Sequence, residues 1–194
     1  MRAAFVLFDQ LTALDFVGIY DPLTRLKSMG FFPDFGWELC GRTPEVEDDR
    51  GLRLHVSAVG GTLAGYDLLV VPGGVGTRTM MRDPAFMGWL RTAAPVPLKV
   101  SVCSGALLLG SAGFLEGKRA TTHPSALQDL APLCAAALED RIVDEGSIIT
   151  AGGVTAALDL GLHVVEKLAG PEIAGRIRRQ MDYPYSVASL GRSS

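Results

Sequence analysis

The segment Lys99-Val100-Ser101-Val102-Cys103-Ser104-Gly105-Ala106-Leu107-Leu108-Leu109 leaves this chain few ways to fold. Residues 98–102 read as a short strand and residues 104–112 as a compact apolar helix, with no loop between them. A strand that turns into a helix over Ser104-Gly105 makes an elbow, and Cys103 stands at its tip. Such an elbow holds a side chain in strained backbone at the edge of a sheet, with helix N–H groups aimed toward it. The helix N-terminus is expected to favour the thiolate, the reactive form, and to lower the thiol pKa. A free cysteine is most often a small buried hydrophobe. Its place at an elbow makes Cys103 a candidate nucleophile instead.

Around the elbow, strand-like and helical runs alternate. Residues 3–8 form a continuous apolar run, as expected for a strand buried on both faces. A helical pattern over residues 16–29 follows, interrupted by Pro22 near its start. Residues 35–41 read as a strand, and residues 45–50 as a hairpin tip leading into 52–56. Residues 68–71 form another buried strand, stopped by Pro72-Gly73-Gly74. Helical spacing returns over 84–94, over 124–137 with a break at Pro132, over 155–169 and over 171–181. Residues 142–143 and 148–150 flank a turn at Glu145-Gly146 and read as a hairpin. This order predicts an α/β fold, a doubly wound and mostly parallel sheet with helices on both faces. Residues 1–185 are expected to form one domain, with 186–194 a flexible C-terminal tail.

Bulk properties narrow the function class. The chain has 194 residues, 48% of them hydrophobic, and a net charge of −3, which suits one globular domain. The charge is too small for a nucleic-acid surface, which needs a concentrated basic patch. The one basic cluster, Arg176, Arg178 and Arg179, sits at a helix end, where cations complement the dipole. No run approaches the roughly 18 apolar residues of a membrane span, and the apolar start is too short for a signal peptide. A cytoplasmic protein is expected, with no nucleic-acid or membrane partner. Cys40, Cys103 and Cys134 are odd in number and far apart, which fits neither a disulfide framework nor a metal site. Cys40, mid-strand, and Cys134, in a helix, read as packing residues.

A second segment, Val70-Val71-Pro72-Gly73-Gly74-Val75-Gly76-Thr77, also ends a strand. Its glycines let backbone N–H groups approach a ligand and stabilise developing negative charge. It lacks the lysine and the spacing of a phosphate loop.

The Val-Cys-Ser-Gly elbow preceded by Pro-Gly-Gly resembles the ThiJ/PfpI superfamily, the class I glutamine-amidotransferase-like fold. Ala120-Thr121-Thr122-His123 and the stretch from Ile149 to Ala156, with Asp159 beyond, are similar to the same superfamily. The resemblance runs from Phe5 to Tyr183. The first loop, with Leu14-Asp15 ahead of Gly18, looks like the isocyanide-hydrating branch. That resemblance implies Cys103 as nucleophile and Asp15 as acid/base, although Asp15 also suits a helix N-cap, and both roles can hold at once. It implies supporting roles for Ser104, where relatives carry threonine, and for Val154 and Gly74. It implies a small-molecule substrate, a homodimer, and no metal or organic cofactor. Two departures stand out: no histidine directly follows Cys103, and Pro124 replaces an expected tryptophan. His123 is therefore expected to support the site rather than carry the chemistry, and His55 and His163 read as structural.

The implied activity is hydration of an isocyanide to an N-substituted formamide. Two alternatives remain open, a glyoxalase or amidase-like hydrolase on this scaffold and a redox or ligand sensor. Residues 29–33 and the first helix offer a dimer surface, and they serve equally well as core.

Overall fold

A computed structural model describes residues 1–185, so the expected tail at 186–194 lies outside the described residues. The strands are β1 (Arg2–Val6), β2 (Gly36–Gly41), β3 (Glu45–Glu47), β4 (Arg53–His55), β5 (Ala58–Val59), β6 (Leu68–Val71), β7 (Leu98–Val102), β8 (Arg119–Thr121), β9 (Ala136–Leu138), β10 (Ile142–Asp144) and β11 (Ile148–Ala151). The helices are α1 (Ala13–Ser28), α2 (Thr77–Met80), α3 (Pro84–Arg91), α4 (Gly105–Ser111), α5 (Leu127–Leu130), α6 (Ala156–Ala169) and α7 (Pro171–Gln180).

In the described residues seven strands form the main sheet, in the order β10-β11-β7-β6-β1-β2-β5. Every pairing is parallel except that of the edge strand β10 with β11. The inner strands are mostly apolar on both faces because helices cover both. Ala3, Ala4, Phe5 and Val6 of β1 and all four residues of β6 are fully buried. Carboxyl ends of β1, β6, β7 and β11 meet at one edge, where open α/β sheets place their ligand sites. The hairpin β3–β4 stands outside the sheet and docks on the loop after β1. Gln10 N–H donates to the Glu47 carbonyl at 2.7 Å, and Asp49 N–H to the Leu11 carbonyl at 3.0 Å.

Helices α1 and α6 lie unusually close. A Cβ on Gly18 would come 2.6 Å from that of Ala157, and one on Gly161 would come 2.9 Å from Pro22 Cγ. Pro22 therefore sits inside a continuous α1 against a glycine, and the expected interruption does not occur. Helix α1 also starts three residues earlier than its apolar spacing suggests. Extended backbone at Thr12 frees its carbonyl to accept the Asp15 N–H at 3.0 Å.

The expected helix over 124–137 is replaced by something shorter. Pro124 and Pro132 each lack an N–H donor and permit only the single turn α5 between two 3-10 turns. The chain then extends into β9, which pairs with β8. Cys134 is accordingly extended and half-buried rather than helical.

A polar cluster ties the end of the described chain to α6. The Asp159 carboxyl, fully buried, accepts Arg141 Nε at 2.7 Å and the Tyr183 hydroxyl at 2.7 Å. Burial first, and then Asp159, push the Tyr183 phenol up to about 12. Residues 29–33 contribute Met29, Phe31 and Phe32 to the edge of the core. Among the described residues no helix is long and apolar enough to cross a membrane.

Candidate active site

Cys103 follows β7 directly, and its φ of 54° lies in the left-handed region. A non-glycine residue held there costs on the order of 1–3 kcal/mol and needs surroundings that over-determine it. They are present. Its N–H points between the carbonyls of Ala151 (3.0 Å) and Gly152 (2.8 Å), and its carbonyl accepts the Thr122 hydroxyl at 2.8 Å. Gly105 lets the helix start immediately, since a Cβ there would lie 2.4 Å from the Val71 carbonyl oxygen. Gly73 forms the floor of the elbow. A Cβ on it would be 2.6 Å from Ser104 N and 2.8 Å from both Cys103 Cβ and Asp15 Oδ2.

Asp15 occupies the first turn of α1 and is fully buried. It is not the N-cap; that position belongs to Thr12. Its Oδ2 accepts the Gly73 N–H at 3.0 Å, while Oδ1 has no hydrogen-bond partner among the described residues. Burial raises the Asp15 carboxyl to about 7, against the opposing pull of the Gly73 N–H and a hydrogen bond with Cys103. The Asp49 charge adds a small upward push. The Cys103 thiol is itself driven up to about 12, first by burial and then by the Asp15 charge, with the Ser104 N–H opposing. The expected lowering of the thiol by the helix N-terminus is thus overturned. Desolvation and the neighbouring carboxylate raise the thiol, and the Ser104 N–H at the head of the seven-residue α4 opposes them only in part. At neutral pH the thiol keeps its proton and the carboxyl is near half-ionised.

Cys103, Ser104, Gly74, His123 and Val154 line one cavity of about 200 Å³, with Asp15 fully buried and meeting Cys103 at Gly73. The Ser104 hydroxyl accepts the Gly74 N–H and donates to the Gly74 carbonyl, both at 3.0 Å. Gly74 N–H, expected as a donor to a reacting atom, is therefore already engaged. The Ser104 N–H faces the sulfur. His123 turns its Nδ1 to Ser125, accepting the backbone N–H at 3.2 Å, which leaves the ring proton on Nε2. Its ring edge packs where a Cβ on Gly153 would sit.

Sequence reasoning missed Thr12, Val75 and Arg78, which also line the cavity. Arg78 reaches from α2 to Asp129 at 2.8 Å. One signal was available, because Thr12 stands three residues before Asp15 at the head of a helix. His55 and His163 lie away from the cavity, His163 pairing with Asp144 at 2.8 Å.

The sequence profile of the DJ-1/PfpI family matches residues 1–167. The chain belongs to the DJ-1/PfpI family. Within that family it is 37% identical over 186 residues to the isonitrile hydratase of Pseudomonas putida, covering 94% of this chain and 78% of that protein. It is 33% identical over 115 residues to Protein DJ-1 homolog A of Arabidopsis thaliana, covering 58% of this chain and 29% of that protein. Among solved structures, a ThiJ/PfpI family protein from Pseudomonas syringae superposes with a TM-score of 0.87 at 30% identity. That match covers 95% of this chain and 76% of the other. The doubly wound fold expected from the alternating runs is the fold of this family.

Proposed function

We propose that this DJ-1/PfpI protein hydrates isocyanides, R–N≡C, to N-substituted formamides, with Cys103 as nucleophile and Asp15 as proton carrier. The observation that carries this reading is a buried carboxyl and a buried thiol crowded against Gly73 beside a small cavity. The similarity to an isonitrile hydratase supports it.

The reaction runs in two halves. With Asp15 ionised, its carboxylate takes the thiol proton as the sulfur attacks the terminal carbon, and then returns that proton to the same carbon. A C–S and a C–H bond form, giving a thioimidate, R–N=CH–S. Water then adds to that carbon. Asp15 takes one water proton and passes it to nitrogen. Collapse forms the carbonyl, breaks the C–S bond and returns the remaining hydroxyl proton to sulfur. The Ser104 N–H, facing the sulfur, stabilises the charge that sulfur carries during attack and departure. The product is R–NH–CHO, and both residues end as they began.

Two features weigh against the alternatives. A hydrolase of the Cys–His type needs a histidine on the thiol, and among the described residues His123 hydrogen-bonds Ser125 and not Cys103. A redox sensor needs an easily formed thiolate, and this thiol is raised to about 12. The reading includes a homodimer formed through α1, where Leu14 and Val17 are 43% exposed, and a cytoplasmic setting that keeps the thiols reduced.

The test is formamide production from a small alkyl isocyanide, followed by product mass. Turnover by the protein and none by Cys103→Ala is the expected result. A purified, folded protein without turnover on any alkyl or aryl isocyanide overturns the reading.

A further inference from the structure

The hairpin β3–β4 brings a second carboxylate to the site. Asp49 lies between its strands, and its N–H is fastened to the Leu11 carbonyl at 3.0 Å. Its Oδ2 accepts the Thr12 hydroxyl at 3.1 Å. Thr12 is the N-cap residue of α1, yet its side chain caps no N–H of that helix. A threonine at this position ordinarily turns its oxygen onto the helix. Here the hydroxyl hydrogen is committed to Asp49 instead. Thr12 is 6% exposed and lines the same cavity as Cys103. With its hydrogen spent, the hydroxyl can only accept a hydrogen bond from whatever occupies that cavity. Three residues further along the first turn, the buried Asp15 Oδ1 is a second acceptor without a partner.

An acceptor on the cavity wall at Thr12 and an unpartnered buried acceptor at Asp15, one helical turn apart, suit a molecule with two hydrogens and a free lone pair. On the reading above, that molecule is the water that resolves the Cys103 adduct. We infer that Thr12, held by Asp49, binds and orients this water while Asp15 removes its other proton. One hydrogen rests on Thr12 Oγ1, the other on Asp15 Oδ1, and the oxygen lone pair is left for the thioimidate carbon. Thr12 is then a catalytic residue of the second half-reaction alone, and Asp49 is the residue that positions it.

The inference rests on the isocyanide reading, and one experiment separates the two. Protein is mixed with a small alkyl isocyanide, quenched over time and weighed intact, so that formation and decay of the Cys103 adduct are read separately. Thr12→Val keeps the shape of the side chain and removes the acceptor. It is expected to form the adduct within about twofold of the parent rate but to lose it about a hundredfold more slowly, the scale of a misplaced reactant. The adduct should accumulate. Thr12→Ser should restore decay. Asp49→Asn offers an amide donor to Oγ1, turns the hydroxyl hydrogen toward the cavity, and should slow decay as well. Should Thr12→Val melt early, Asp49→Asn and Thr12→Ser carry the same comparison. Adduct decay at the parent rate in folded Thr12→Val or Asp49→Asn, or a loss confined to adduct formation, overturns the role of Thr12 and leaves the isocyanide reading standing. A parent protein giving neither adduct nor formamide overturns both.

Discussion

Asp15 Oδ2 and Cys103 Cβ crowd the same point above Gly73, each 2.8 Å from the position a Cβ would take there. Two acidic groups so placed and so buried do not both ionise at neutral pH. The thiol keeps its proton while the carboxyl loses its own near pH 7, and the state of that carboxyl governs the chemistry, the pH dependence and the stability.

For the chemistry, the carboxylate must be free to take the thiol proton. The groups facing it are Cys103 from the elbow, Asp49 from the hairpin and the Gly73 N–H. Asp15 titrates at about 7, so kcat/KM for isocyanide hydration should rise with pH through that value and then level off. Asp15→Asn should lower kcat by roughly 10²- to 10⁴-fold, the range for a positioned acid/base, and abolish that rise. A pH–rate profile of both proteins checks it.

Stability should respond in the opposite direction. An aspartate raised from about 3.9 to about 7 binds its proton more tightly folded than unfolded. The folded state is therefore favoured at low pH, and this contribution is lost as pH climbs from about 4 to about 7. The Cys103 thiol plays no part below about 8, since it is protonated in both states. Asp15→Asn should thus gain on the parent protein across that window, by a few kcal/mol at pH 8. Denaturant titrations at pH 5 and pH 8 give the comparison, and an equal difference at the two values contradicts it.

Gly73→Ala tests the floor of the elbow. The added methyl meets the Ser104 nitrogen at 2.6 Å as well as both reacting residues. Backbone must move, at about 1–3 kcal/mol, and activity should fall much further than stability. Chemical denaturation and turnover, measured on one preparation, separate the two effects.

Tyr183→Phe removes one of the partners of the buried Asp159 carboxylate. The loss should be about 1–3 kcal/mol, as for a buried polar group left short of a bond. Arg141→Gln should cost more, because it takes away the countercharge. The Arg141 carbonyl also holds the Gly152 N–H at 2.9 Å, on one of the two residues whose carbonyls grip Cys103. Urea midpoints and adduct formation rates for both variants check these effects.

The sheet was legible because parallel strands covered on both faces lose the alternation of polar and apolar residues. Residues 3–8 and 68–71 show this plainly, and the elbow at Cys103 needed only the adjacency of a strand and a helix. The short elements were not legible. The two-residue strand β5 and the single turn α2 carry too few residues for any period, and the prolines at 124 and 132 cut a helical pattern that spacing alone extends. Cys103 and Asp15 were visible through their neighbours in sequence. The contact between Thr12 and Asp49 spans 37 residues and depends on how a hairpin docks, which no local pattern records. The height of the Cys103 thiol pKa was hidden for the same reason, since it comes from burial and a distant carboxyl rather than from the helix that follows.

The glycines at 18 and 161 let α1 and α6 touch almost backbone to backbone. That contact anchors Asp15 at one helix head and the residues 152–155 at the other, independently of the loops that surround the cavity mouth. Val75, Arg78 of the single turn α2, and Ser125 and Ala126 of the 3-10 turn after His123 line the cavity away from that contact. New side chains at these four positions would reshape what enters while the pair of Asp15 and Cys103 stays put, so the scaffold is built to acquire new substrates without relearning its chemistry.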